Sequence, residues 1–395
     1  MIRPRETRLL VACAALAGGE ACAALIPGIS AAWLFVGGVS FVIALAGYGF
    51  SIRFWPYVCL FFLGGALCLH ASTEREEMFR VSPWMRGARA RSTEVVSAFP
   101  SVERDISRRI GLGLENLPEI AQLNRAILVG ERSRMPRQAK RVFAESGTIH
   151  VFAISGLHVM IFANLLVVLS IVFFVPTRFR GLFVVPLLWA YVALIGSTPS
   201  AVRAALMASV FFFAPLFYRQ GNGLHSWIIA FFVVHLFSPL SVSSVGSVLS
   251  FAVMLALVLA SRLARQMRGR WKSVLFLGFS AWAAGVPIVA HVFGRLTPGG
   301  FFANLLLVPV AAFSVSCGAV GVFTSYLSST LAAHFNLASG MATEAMVLIA
   351  HVVSRLPGAD IEIEPWDIWE CVLWYVGLVL FYYWIHLRLK RRNLV

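Results

Sequence analysis

Two histidines and a serine fall within nine residues of one another in a largely apolar stretch. They are His150, Ser155 and His158 of Glu145-Ser146-Gly147-Thr148-Ile149-His150-Val151-Phe152-Ala153-Ile154-Ser155-Gly156-Leu157-His158. On a continuous helix with His150 at 0°, Ser155 falls at about 140° and His158 at about 80°, so the three share one face. They would form the polar wall of a cavity, with His158 about ten residues into a membrane span, near its midplane. Gly156 permits close backbone approach or a break in the helix. The plainer role is interhelical hydrogen bonding, worth under about 2 kcal/mol each. Serine and histidine three residues apart also make a nucleophile and base pair. No acid or oxyanion partner is identifiable, so an intramembrane enzyme is the least favoured reading. A metal needs three or more convergent ligands, and only two histidines are local. No metal and no cofactor is expected.

A second constellation is Gly196-Ser197-Thr198-Pro199-Ser200-Ala201-Val202-Arg203. Pro199 suits the first turn of a helix, with Thr198 as its cap. Backbone N–H groups, the positive end of the helix dipole and the Arg203 guanidinium would then converge with Thr198 and Ser200 as an anion site. The alternative is Arg203 snorkelling to headgroups. A third is Asn304 in Phe301-Phe302-Ala303-Asn304-Leu305-Leu306-Leu307-Val308-Pro309, either helix glue or a lining residue. Arg132 and Arg137, just before the first constellation, are further candidates for guiding an anion. Glu20 and Glu344 also sit in apolar runs, where a charge costs roughly 2.5–3.5 kcal/mol; no role for them follows from the sequence.

The elements that hold these residues are membrane helices. Of 395 residues, 59% are hydrophobic and 13% charged, and the mean hydropathy is +0.81. A soluble domain carries about 25% charged residues, so a water-soluble globule is excluded. Three early spans are expected at Leu9–Pro27, Ser30–Phe50 and Phe54–His70. Nine more are expected at Thr148–Val175, Leu182–Gly196, Ser200–Phe217, Leu224–Phe237, Val245–Ala260, Ser273–Phe293, Phe301–Leu327, Thr330–Leu356 and Ile368–Leu387. The fold class is thus an all-α polytopic membrane protein with about 12 transmembrane helices and a polar, partly helical exterior segment. The N-terminal run reads as an uncleaved first span rather than a signal peptide.

Charge sets the orientation. The formal net charge is +15, with 33 basic and 18 acidic residues. Arg178, Arg180, Arg219, the run from Arg262 to Lys272 and the tail from Arg388 to Arg392 fall on one side. The acidic Asp360-Ile361-Glu362-Ile363-Glu364 falls on the other. The positive-inside rule then makes both termini cytoplasmic. Residues 71–147 hold 14 basic and 10 acidic residues. They read as a solvated helical pair or as a basic platform for a polyanion. Asn124 to Val129 with Glu131 to Arg137 resembles an amphipathic helix that Pro136 breaks and that lies in the interface plane. Three segments follow: N-terminal transmembrane helices (1–70), a polar basic exterior segment (71–118) and a transmembrane channel domain (119–395). The six cysteines read as small hydrophobes. No phosphate-binding glycine loop, His-Glu-x-x-His or paired Cys-x-x-Cys occurs.

The segment Ala126-Ile127-Leu128-Val129-Gly130-Glu131-Arg132-Ser133, followed by Ser146 through Val159, resembles the competence domain of the ComEC family, inner-membrane channels for DNA uptake in natural transformation. Ser200-Ala201-Val202-Arg203-Ala204-Ala205-Leu206-Met207 is similar to that family's second block. His291-Val292-Phe293-Gly294 and Ala303-Asn304-Leu305-Leu306 are similar to its third. The resemblance covers about residues 120–315. It implies import of single-stranded DNA across the inner membrane, with His150, Ser155, Gly156, His158, Arg203 and Asn304 as motif positions lining the path. Implied partners are the strand, the lipid bilayer, a cytoplasmic helicase or strand-binding protein and an exterior DNA receptor. A homo-oligomer is compatible with this. The exterior oligonucleotide-binding barrel of full-length members is expected to be reduced or absent, and the C-terminal metallo-β-lactamase-like domain absent. Where the family has Asp-Pro … Gly-Phe-Gln-Leu-Ser-Phe, this chain has Ser238-Pro239 … Gly246-Ser247-Val248-Leu249-Ser250-Phe251. The alternative is a transporter of another anionic solute on the same scaffold.

Overall fold

The computed structural model describes residues 100–130, 135–151, 155–237 and 244–392. The three early spans, Glu20 and Arg132 lie outside the described residues. The described chain is helical: α1 (Pro100–Ile110), α2 (Pro118–Val129), α3 (Arg137–Glu145), α4 (Gly156–Val172), α5 (Arg180–Leu194), α6 (Pro199–Phe213), α7 (Gly223–Phe237), α8 (Val245–Ala264), α9 (Arg270–Phe293), α10 (Pro298–Thr324), α11 (Ser329–Ser354) and α12 (Ile368–Arg392). Two-residue strands occur at Arg295–Leu296 and Ile361–Glu362.

Each of the nine later apolar stretches contains one of the α-helices α4 to α12. Among the described residues, six helices are long and apolar enough to cross a membrane; Gly156–Val172, Arg180–Leu194 and Gly223–His235 are apolar but shorter. The chain is therefore a multi-pass membrane protein, with six such helices where nine spans were expected in this part of the chain.

The described chain forms two compact units. One contains α1 to α6 with α10 and α11. Its first core joins Leu123, Ile127 and Leu128 of α2 to Phe143 of α3, Ile161 of α4, Leu307 and Val315 of α10 and Met346 of α11. Its second core joins Val159 and Ala163 of α4, Val184 and Leu188 of α5, and Ala201, Ala204 and Ala205 of α6. Small residues let these helices approach closely, as in other membrane bundles. Gly318 of α10 lies against Leu128, and Gly181 against the backbone of Phe212.

The amphipathic helix expected to lie in the interface plane is a core helix. α2 ends at Val129, capped by Gly130 in the left-handed conformation. It buries Ala121, Leu123, Asn124, Ala126, Ile127 and Leu128. Asn124 accepts a hydrogen bond from the Thr343 hydroxyl at 2.5 Å. Thr343 is 3.0 Å from Ser314 Oγ, which is 3.2 Å from Ser339 Oγ. This buried polar cluster ties α2 to the α10–α11 hairpin. Asn336 adds donations to the Arg109 and Leu112 carbonyls at 2.7 and 3.0 Å.

The other unit contains α7, α8, α9 and α12. Trp227 donates to the Phe251 carbonyl at 3.0 Å and stacks near Phe231. Trp374 of α12 donates to the Ala283 carbonyl of α9 at 2.9 Å. His291 donates from Nδ1 to the Trp366 carbonyl at 2.6 Å, a structural role.

Candidate anion site at three helix starts

The expected continuous helix through His150, Ser155 and His158 does not form. Residues 149–151 make a turn of 3₁₀ helix. Ser155 is extended, at φ −111° and ψ 170°, and α4 begins at Gly156. The shared-face geometry is replaced by a helix start. His158 is the third residue of the helix, not a position ten residues into a span.

Local chemistry explains the break. Ser155 Oγ accepts the Leu157 N–H at 3.3 Å, and His158 Nδ1 accepts the Ser155 N–H at 3.4 Å. This is a reciprocal capping box with histidine in the place usually held by Glu or Gln. Since Nδ1 accepts a backbone proton, the neutral ring carries its own proton on Nε2. Ser155 Oγ also lies 3.2 Å from Nδ1. That distance suits proton transfer, but both atoms already serve the cap. His158 is only 1% exposed.

Upstream, Ser146-Gly147-Thr148 forms a buried polar elbow. Ser146 Oγ and Thr148 Oγ1 are 2.6 Å apart. Gly147 has φ +70°, and a Cβ there would stand 3.1 Å from Thr297 Cβ and 3.4 Å from Gly300 Cα. Only glycine meets both demands. The elbow therefore rests on the start of α10, one turn before Asn304. His150 is exposed and lies near Gly147 and Asn304. Asn304 Oδ1, buried, makes no hydrogen bond of normal geometry with any described residue.

The start of α6 completes the arrangement. Pro199 is its first residue and Thr198 its N-cap position, although the Thr198 hydroxyl makes no cap bond and lies 3.4 Å from Ser200 Oγ instead. Arg203 is buried, 5% exposed, one turn inside. α4 and α5 are antiparallel, since Phe162 stacks on Tyr191 and Phe173 meets Phe183. α5 and α6 are antiparallel too, since Trp189 donates to Ser209 and Gly181 meets Phe212. α4 and α6 thus start at the same end. A Cβ on Gly156 would sit 3.4 Å from Ala204 Cβ, next to Arg203.

The structure thus brings His150 beside Asn304, and Ser155, Gly156 and His158 beside the start of α6 with Arg203. Residues 146–158, 196–204 and 297–304 contain no Asp or Glu. Three helix starts, each with a partial positive charge, and one arginine make this region favourable to anions. Arg137 opens α3, and its side chain lies outside the described residues. The Ser146–Thr148 elbow was missed as part of the site. Its signal was the Gly147 between two hydroxyl residues.

A family model described as Competence protein matches residues 127–388. The chain belongs to the Competence protein family. Within it, this chain is 28% identical over 214 residues to ComE operon protein 3 of Bacillus subtilis (strain 168), covering 54% of this chain and 28% of that one. It is 31% identical over 217 residues to competence protein ComA of Neisseria gonorrhoeae, covering 48% and 29%. It is 27% identical over 264 residues to YcaI of Escherichia coli (strain K12), covering 62% and 34%. The chain spans about a third of the length of these curated relatives. No solved structure gives a significant match.

Proposed function

We propose that this competence-family chain forms the membrane passage through which single-stranded DNA is imported across the inner membrane during transformation. The observation that carries this reading is the acid-free meeting of helix starts around Arg203, His158, His150 and Asn304. A strand crossing hydrocarbon needs its phosphates met by fixed dipoles and cations in place of water. Broken helices whose starts point into a passage supply such dipoles without placing a carboxylate beside them. Membership of a family named for competence, together with one relative named as a competence protein, supports DNA as the anion. A cytoplasmic motor or strand-binding protein would pull the strand, and an exterior receptor would deliver it. The arginine distribution supports a cytoplasmic location for both termini.

The test is uptake of labelled single-stranded DNA into proteoliposomes holding a strand-binding protein inside. Wild type is compared with His158→Ala and Arg203→Gln. Uptake that both substitutions reduce at least tenfold supports the reading. Uptake of short anionic solutes without DNA uptake would move the assignment to an anion transporter on the same scaffold. The enzyme reading gains little from the Ser155–His158 distance, because both side chains are engaged in capping. A hydrolytic activity lost in Ser155→Ala would revive it.

A further inference from the structure

The cations in the unit of α7, α8, α9 and α12 collect at one of its ends. Arg262, Arg265, Arg268, Arg270 and Lys272 fall within eleven residues at the turn from α8 to α9. Arg388, Lys390, Arg391 and Arg392 close α12. The two groups share an end, because the last turns of α12 pack on the turn: Phe381, Tyr382 and Ile385 lie against Ala260, Ala264 and Phe276. Arg262 is tied inward, donating to Asn222 Oδ1 at 3.4 Å. The seven others whose side chains are described are exposed.

No acid answers this charge. Residues 222–296 contain no Asp or Glu. Glu370 stands in the first turn of α12, about 27 Å along the axis from Arg388, and Glu362, Glu364 and Asp367 precede that helix. Residues 1–99 cannot neutralise the patch, since they hold nine basic and six acidic residues themselves.

Helix length sets what the patch meets. α9 has 24 residues and α12 has 25, about 36 and 37 Å, against a hydrocarbon thickness of about 30 Å. Their basic ends therefore emerge just past the hydrocarbon, into the headgroup layer. Trp271, 80% exposed, stands between Arg270 and Lys272, and Trp384 stands one turn before Arg388. Tryptophan collects at that depth. The Arg388 guanidinium lies 4.1 Å from the Trp384 ring centre, and an arginine stacked on a ring keeps its N–H edge for phosphate oxygens. A nucleic-acid strand would meet the same charges, but headgroups are present at this depth around every membrane protein.

We propose that this end of the unit binds the phosphate headgroups of anionic phospholipids, independently of strand passage. The α8–α9 turn and the end of α12 hold the phosphates, and the two tryptophans fix the depth. The test is native mass spectrometry of the full chain released from micelles containing equal phosphatidylglycerol and phosphatidylcholine. Each cation near an anionic surface is worth about a fivefold preference, so wild type should retain phosphatidylglycerol over phosphatidylcholine at least about tenfold. Arg268→Gln, Arg270→Gln and Lys272→Gln together should cut that preference at least about fivefold, and so should Arg388→Gln, Lys390→Gln and Arg391→Gln together. All six positions are exposed, so folding is little disturbed. Arg268→Lys with Arg270→Lys keeps the charge and should hold the preference within about twofold. Equal retention of both lipids by wild type, an unchanged preference in either triple variant, or its loss in the lysine variant would each overturn the proposal. Binding of a labelled single-stranded oligonucleotide that the triple variants abolish, with their lipid preference intact, would assign the patch to the strand instead.

Discussion

Replacing Ser155 separates the helix cap from the electrostatics of the site. Ser155→Ala removes the acceptor of the Leu157 N–H at 3.3 Å and the neighbour of His158 Nδ1 at 3.2 Å. Loss of a serine cap costs typically about 1 kcal/mol, or about a fivefold shift in the local opening equilibrium. Hydrogen exchange of the first amides of α4, measured by mass spectrometry in nanodiscs, should therefore quicken about fivefold. Ser155→Asn and Ser155→Asp both restore the cap, since Asn, Asp and Ser cap about equally well. Exchange in both should return to within about twofold of wild type. Uptake of DNA should then divide them. Asn should preserve it, while Asp puts a carboxylate into a region that has none and should reduce it at least tenfold. His158→Gln and His158→Glu make the same comparison from the other side of the box, because both residue types complete it. Unchanged exchange in Ser155→Ala would refute the capping argument. Normal uptake in Ser155→Asp, with exchange restored, would refute the anion site.

Three further outcomes test the surrounding structure. Gly113 has φ +82°, and a Cβ there would stand 2.9 Å from Ala333 Cα; Gly113→Ala should cost at least about 1–2 kcal/mol from the left-handed backbone alone and lower the thermal midpoint in detergent. Thr343→Val keeps the volume but removes the donor to Asn124, and should cost about 1 kcal/mol in a membrane unfolding assay. Asp105 is held below its ordinary value first by the side-chain hydrogen bond from Arg109, with Tyr326 adding a weaker one, while its modest desolvation acts the other way. Its contribution to docking α1 is present at neutral pH and is lost as pH falls through that lowered value. Exchange of α1 amides should rise only in acid below the ordinary aspartate range, and Asp105→Asn should abolish this pH dependence.

Helix content was legible because each long apolar run of the later chain has no alternative in hydrocarbon but to close its own hydrogen bonds. All nine such runs contain one α-helix each. Their lengths were less legible, since apolar composition continues past the residues where the backbone turns. The wheel through His150, Ser155 and His158 failed for a local reason. Ser-Gly-Leu-His is a capping pattern, and a serine that accepts its own N–H partners stops a helix from running through it. Pro199 at the start of α6 was legible because proline's fixed φ suits that position. The polar cluster of Asn124, Ser314, Ser339 and Thr343 was not legible. Its members are separated by up to 219 residues, and single hydroxyls in apolar runs look alike until the helices pair. The same holds for Asn304, whose neighbour His150 lies in a different helix-start segment.

The short helices have a consequence for the lipid around them. α4 has 17 residues and α5 has 15, rises of about 25 and 22 Å, against a hydrocarbon thickness of about 30 Å. A bilayer meeting such helices thins locally, at fractions of a kcal/mol per Å of mismatch. The low-dielectric slab is then narrowed where such short helices stand. The work of carrying a charge across depends on that width as well as on the groups that line the way. For the strand passage proposed above, a helix that starts late acts twice: the delayed start supplies the dipole, and it also shortens the crossing.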